Sequence, residues 1–187
     1  QAMVTYVTVT TSLKGMSEFG AIYWPRIEVL NPTKPVYGTD DKIYAYPSGW
    51  AAGVYSRTDN SKPGGIYEPP AGVDQNIGVI DGCLGFEFDS VLREPVRDVV
   101  YPELINPITT EEGFERYLDG VYTLQAGGNF PTIAERRGVI FIERSIKLGL
   151  QFARHRNNDE SLRARCRRTC ELFLYVQMKL GAFRSQT

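Results

Sequence analysis

The sequence predicts an α+β domain: a mixed, largely antiparallel sheet flanked by three or four helices. Three observations carry this. Val4 to Thr11 alternates β-branched residues with Thr and Tyr, a strand signal, and Ile22 to Leu30 reads as a second strand. Pro47 followed by Ser48-Gly49 offers a helix start ahead of a segment rich in small residues. From Asp159 to about Leu180, apolar residues recur at three- and four-residue steps, the period of a helix with one buried face.

Taken in order, Lys14-Gly15 ends the first run, which with Thr along one side reads as an edge strand or as the last strand of a domain lying upstream. Pro25 places the second strand at an edge or bulge, Asn31-Pro32 terminates it, and residues 31–42 read as a polar loop. Ser48 is a favoured N-cap type. Ala51, Ala52 and Gly53 form a nearly side-chain-free ridge able to sit close to a neighbouring backbone. Arg57-Thr58-Asp59 closes that helix, and Lys62 to Gly72 is an extended loop of turn formers. Ile77 to Ile80 reads as a short strand, a helix starts near Ser90 and breaks or restarts around Pro95, and Val121 to Gln125 is a further β run. The last helix offers Leu162, Cys166, Cys170 or Thr169, Phe173, Val176 or Gln177, and Leu180 to the interior, with Gly181 as its C′ residue. Burying four or five of these at roughly 1.5–3 kcal/mol each would anchor it firmly across the sheet.

The order of motifs resembles the conserved part of contractile phage tail sheath proteins. There a Pro-Pro-Ser-Gly start, an Ala-Gly helix and an Ala-Arg-Thr-Asp end precede a Trp/Tyr-x-x-Pro-Ala-Gly loop. Here Ser48, Gly49, Gly53, Arg57, Thr58, Asp59, Pro70 and Gly72 take those places. Tyr23-Trp24-Pro25, Gly85 to Asp89 and Leu104-Ile105-Asn106-Pro107 are looser matches. The family's Trp-Gly-Ala-Arg-Thr-Leu strand falls at Val121 to Gln125 without its tryptophan and arginine. Arg136 to Ile146 resembles the family's Arg-Arg-Leu-Phe-x-x-Ile-Glu-x-Ser-Ile helix, and Phe152 to Asn158 its Trp-x-Val-Phe-Glu-Pro-Asn strand. The resemblance covers roughly residues 20–184. It implies a core domain over residues 21–187 that lacks the family's C-terminal strands, preceded by residues 1–20 as a strand remnant of an adjacent domain. It also implies a structural subunit that polymerises helically around a tail tube and contracts, driving the tube through a host envelope for genome delivery. Its partners would be further copies of itself and the tube protein, in a virion tail assembled in the host cytoplasm. No catalysis, cofactor, metal, small-molecule substrate or membrane insertion is implied, and this 187-residue chain by itself is expected to be a monomer.

Composition is compatible with that reading. At 187 residues, 42% hydrophobic and 23% charged, the chain can bury one substantial core. No apolar run approaches the roughly 18 residues of a membrane helix. Gln1-Ala2-Met3-Val4 lacks the basic and apolar regions of a signal peptide and reads either as a processed or truncated start or, at Met3, as an original one. Three cysteines, Cys83, Cys166 and Cys170, argue against a disulfide framework, and the latter two, one turn apart, are expected to face the core. The net charge of −1 hides a polarity: residues 130–187 carry 12 Lys/Arg against 5 Asp/Glu, residues 1–129 carry 9 against 17. Such asymmetry suggests complementary surfaces, and the candidate subunit interface is Arg136, Arg137, Arg144, Arg163, Arg167 and Arg168 opposite Asp40 and Asp41.

Catalytic patterns are weak. Any Ser-His-Asp or Cys-His mechanism must run through His155, the only histidine, flanked by Arg154 and Arg156. A zinc site from His155, Cys166 and Cys170 lacks a fourth ligand. Asp81 to Asp89 misses the calcium-loop pattern, and Gly64-Gly65 and Gly127-Gly128 lack a nucleotide-binding framework. Arg163, Arg165, Arg167 and Arg168 on the last helix read as a solvated face, as a protein-binding surface, or, against an acidic pI of about 5.9, as a nucleic-acid contact.

Overall fold

A run of nine residues, Ile22 to Leu30, is shared between two small sheets. In the computed structural model, which describes residues 13–32, 41–87, 98–110, 116–125 and 127–183, this run is not one strand. Pro25 has no amide hydrogen to give to a ladder, and the chain divides at the cis Trp24-Pro25 bond into β1 (Ile22–Trp24) and β2 (Ile27–Leu30). With β3 (Lys42–Ala45), β4 (Gly85–Phe86), β5 (Ile105–Thr109) and β6 (Tyr117–Leu118), they form two three-stranded sheets ordered β1-β5-β6 and β3-β2-β4. β1 runs parallel to β5, with Tyr23 opposite Asn106; the other pairings are antiparallel. The fold is therefore α+β with mostly antiparallel pairing, its sheet divided where one strand was expected.

Helix α1 (Ser48–Ser61) closes the core. Its N-cap is Pro47, one residue earlier than expected, with no side-chain capping bond, and Ser48 is an exposed first helical residue. Ala51, Val54 and Thr58 are its buried residues, spaced three and four apart. Ala51 and Val54 cluster with Ile27, Val29, Ile80, Cys83, Ile108 and Leu118, so both sheets and α1 share one core. Ala52 and Gly53 face outward, and a methyl group added at Gly53 would meet nothing within 4 Å, so of the expected ridge only Ala51 is packed inward among the described residues.

Helix α2 (Ile133–Gly149) begins with a reciprocal cap: Thr132 Oγ1 accepts from the Glu135 amide, and the Glu135 carboxylate accepts from the Thr132 amide. Helix α3 (Glu160–Lys179) is capped by Asp159, whose carboxylate accepts from the Leu162 amide at 2.7 Å. It ends as expected at Gly181, in the left-handed region (φ +95), with the Ala182 amide bonded back to Gln177. Its principal neighbour is α2, through Phe141 and Phe173 at 6.4 Å between ring centres, instead of the sheet. Consequently Leu162, Cys166, Cys170, Phe173 and Leu180 are only half-buried, and Gln177, held by the Tyr67 hydroxyl at 2.8 Å, is the buried residue of α3. The end of α3 rests on the loop after α1: a Cβ at Gly64 (φ +84) would stand 2.3 Å from the Leu180 carbonyl oxygen.

Three expected strands are shorter or absent. Residues 77–80 contribute one bridge, Val79 to Tyr117, and residues 121–125 one bridge, Tyr122 to Thr132. Gln151–Ala153 is a 3-10 turn leading into irregular chain in which His155 has positive φ, so no strand forms over 152–158. The strand at Val4 to Thr11 and the helix start near Ser90 lie outside the described residues.

Candidate assembly surfaces

The Arg57-Thr58-Asp59 motif is a three-way joint inside the chain. Arg57 donates to the carbonyls of Asn76 (3.0 Å) and Val79 (2.7 Å) and to the Asp81 carboxylate (2.5 Å), fixing the segment 76–81 against α1. Thr58 is fully buried and donates to the Val54 carbonyl at 2.8 Å. Asp59 accepts from Arg137 Nη2 at 2.5 Å on both oxygens, tying α1 to α2. The same guanidinium lies 4.6 Å from the centre of the Tyr55 ring, and the Tyr55 hydroxyl is hydrogen-bonded to that of Tyr23 on β1. Burial pushes both phenols above their ordinary range, Tyr23 far above it. Pro70 is fully buried, and Gly72, with φ +86, gives its amide to Leu118 and accepts from Gly78. Gly49 is exposed beside Ser48 at the start of α1.

A second polar centre was not legible as a site. Asn106, fully buried on β5, donates from Nδ2 to the carbonyls of Ile22 (3.1 Å) and Tyr122 (2.8 Å) and accepts from the Tyr122 amide (2.8 Å). It takes the amide and carbonyl of residue 122, which the bridge to Thr132 does not use. Its place in the Leu104-Ile105-Asn106-Pro107 match was the only sequence signal.

The arginines expected to meet another subunit divide into two groups. Arg136 is 8% exposed; it pairs with Glu18 and lies between the Phe19 and Phe130 rings, 5.0 and 4.8 Å from their centres. Arg137 is held by Asp59 and Tyr55. Both are thus engaged within the chain. Arg144, Arg163, Arg167 and Arg168 are exposed, with Arg163 Nε bonded to Asn158 Oδ1 at 2.8 Å. Arg165 stacks 4.3 Å from the Phe152 ring centre. Beyond these cations, α3 presents Leu172 and, three and four residues on, Tyr175 and Val176, each more than half exposed. Asp41 is exposed at the start of β3; Asp40 lies outside the described residues.

Two hollows indent the described surface. One, of about 460 Å3, runs along α1 past Gly49, Trp50 and Gly53, where Arg57 and Asp81 are paired with each other. The other, of about 630 Å3, lies between the start of α2 and the end of α3, lined by Tyr67, Pro69, Val139, Ile142 and Phe183 with Glu68 and Glu135. Among the described residues no three His, Cys, Asp or Glu side chains gather as a metal site, and no helix is long and apolar enough to cross a membrane. Burial raises the pKa of the Cys83 thiol, and His155 is exposed. The geometry supplies surfaces and joints.

No protein-family model matches the chain, and no curated protein sequence matches it. Solved structures do. A chain of the anti-feeding prophage (AFP) baseplate, six-fold symmetrised, superposes with a TM-score of 0.76 at 25% identity over 93% of this chain and 43% of that one. The sheath complex of an extracellular contractile injection system, PVC, in its contracted state gives 0.74 at 23% identity, over 91% and 44%. The contracted AFP helical sheath gives 0.72 at 24%, over 86% and 41%. The chain thus has the fold of contractile sheath and baseplate proteins and spans less than half the length of the chains it matches.

Proposed function

We propose that this chain is the core of a sheath subunit that assembles helically around a tail tube in a contractile injection device, and that its contraction drives the tube through a target envelope. The observation that carries this reading is the shared fold over 93% of the chain with a component of such a device. Delivery of a genome from a virion, expected from the phage resemblance, is one form of this activity; one of the matched structures is the sheath of an extracellular contractile injection system. The role is mechanical and non-catalytic, with partners that are further copies and the tube.

The physical parts suit sliding contacts. Exposed ion pairs contribute only about 0–1 kcal/mol each and can exchange partners as subunits move. The exposed cations Arg144, Arg163, Arg167 and Arg168, with Asp40 and Asp41 on the acidic portion of the sequence, would meet across heterologous boundaries of an open helix. The exposed residues Leu172, Tyr175 and Val176 supply apolar area further along α3. Electron microscopy of the full-length protein tests this: sheath tubes are expected, and their loss in an Arg163→Glu, Arg167→Glu, Arg168→Glu variant of unchanged circular dichroism. Tubes that form equally well from the variant overturn the electrostatic assignment, and a full-length protein that never polymerises overturns the sheath assignment.

The exposed arginines also favour a second reading, a non-catalytic module that uses α3 to contact nucleic acid or an acidic protein. A DNA mobility shift that weakens steeply with salt would favour it.

A further inference from the structure

Residues 13–20 belong to neither sheet, yet they are fastened to the body at three places. Lys14 Nζ donates to the Pro102 carbonyl and pairs with Glu103 at 3.5 Å. The Gly15 amide donates to the Leu124 carbonyl at 2.6 Å, and the Leu124 amide donates to the Gly20 carbonyl at 2.9 Å. At the third place Glu18 pairs with Arg136, whose guanidinium is held between Phe19 and Phe130.

The segment gains little from burial. Met16 and Phe19 are 69% and 70% exposed, so its attachment is polar and concentrated on few groups. Arg136 is the opposite: it is nearly buried, and its Nε has no hydrogen-bond partner among the described residues. A buried donor left unpaired raises the free energy of the attached state, because detachment would return it to water. The ion pair and the two ring contacts favour attachment, and the unpaired Nε weakens it.

Arg136 also sits where forces would converge. It is in the first turn of α2, the helix on which α3 packs, while the adjacent Arg137 reaches α1 through Asp59. We infer that residues 13–20 are a detachable strap latched by Arg136, so that tension on the chain upstream of residue 13 passes to α2. The mechanical purpose rests on the sheath reading; the latch itself does not.

The test is amide hydrogen exchange on the whole 187-residue chain. Two amides report the strap, those of Gly15 and Leu124, and the amides of β5 and β6 report the core. In Arg136→Gln, and in a Glu18→Gln, Phe19→Ala double variant confined to the strap, exchange at Gly15 and Leu124 should accelerate by about tenfold or more, with core rates unchanged. If Arg136→Gln fails to fold, the strap variant decides alone. Unchanged rates at Gly15 and Leu124 in the strap variant overturn the latch. So does an Arg136→Gln protein in which core and strap accelerate together, since Arg136 would then be an ordinary core residue. Failure of the sheath reading would show differently, as wild-type exchange behaviour in a full-length protein that forms no tubes.

Discussion

Replacing Asn106 by leucine should cost this fold a large part of its stability. The side chain is fully buried and makes three hydrogen bonds, to the Ile22 carbonyl and to both the amide and the carbonyl of Tyr122. Leucine fills similar space and can satisfy none of them. Orphaning a buried polar group costs about 1–3 kcal/mol, and the added apolar burial returns part of it, so a net loss of about 3–5 kcal/mol is expected for the three. With a urea m-value of roughly 2 kcal/mol/M, the unfolding midpoint should fall by roughly 1.5–2.5 M. Asn106→Asp separates hydrogen bonding from packing. The carboxylate can still accept from the Tyr122 amide, but it turns lone pairs toward the two carbonyls that Nδ2 now serves. Burial would raise its folded pKa above the unfolded value, so the deficit against wild type should be greatest above that folded pKa and narrow as pH falls from 7 toward 5. Urea titrations followed by circular dichroism at both pH values measure this. A midpoint within about 0.3 M of wild type for Asn106→Leu, well below the shift that those bonds should produce, would refute the argument that they hold residue 122 in place.

Other outcomes follow from the same structure. Gly65→Ala puts a Cβ 2.2 Å from the Thr58 carbonyl oxygen and should destabilise by about 1–3 kcal/mol, whereas Gly53→Ala, on an exposed helical face with open space, should stabilise by about 0.5–1 kcal/mol; paired thermal melts read the opposite signs. Arg57→Met removes the donors that hold the Asn76 and Val79 carbonyls and should make the 74–81 segment the first site of limited proteolysis, with α2 still intact. Because the folded pKa of Tyr23 lies above its unfolded value of about 10, its contribution to stability is complete below that pH and is lost as pH rises above it; Tyr23→Phe should flatten the alkaline loss seen in denaturation at pH 9 and 11. The isolated 187-residue chain should scatter light as a monomer, and filaments from it alone would contradict the expectation.

What could be read from the sequence was what local chemistry determines. Helix α3 was legible at both ends, because Asp159 and Gly181 are capping residues whose roles depend on the adjacent backbone. The burial of its apolar face was overestimated, since periodicity tells which side faces inward but not how much protein lies there; among the described residues that is chiefly α2 and the turns at Gly64 and Tyr67. Ile22 to Leu30 looked continuous because Pro25 interrupts a ladder without interrupting the apolar pattern. Residues 121–125 carry strand-forming side chains, yet they form only one bridge, to Thr132, and the amide and carbonyl of Tyr122 go to the Asn106 side chain, a contact across sequence that composition cannot announce. Among the candidate site residues, exposure separated Arg163, Arg167 and Arg168 from Arg136 and Arg137. All five look alike as letters, and only the positions of Glu18, Asp59 and the aromatic rings distinguish them.

The seat of Leu180 on Gly64 has a geometric corollary. The polypeptide turns out of α3 at a spot chosen by a hairless stretch of main chain from the first half of the molecule. Any bulk introduced at residue 64 would swing the exit of the last helix and re-aim whatever is joined after it. A position that looks like a spacer in a loop thus acts as the sight along which the chain's far end is pointed.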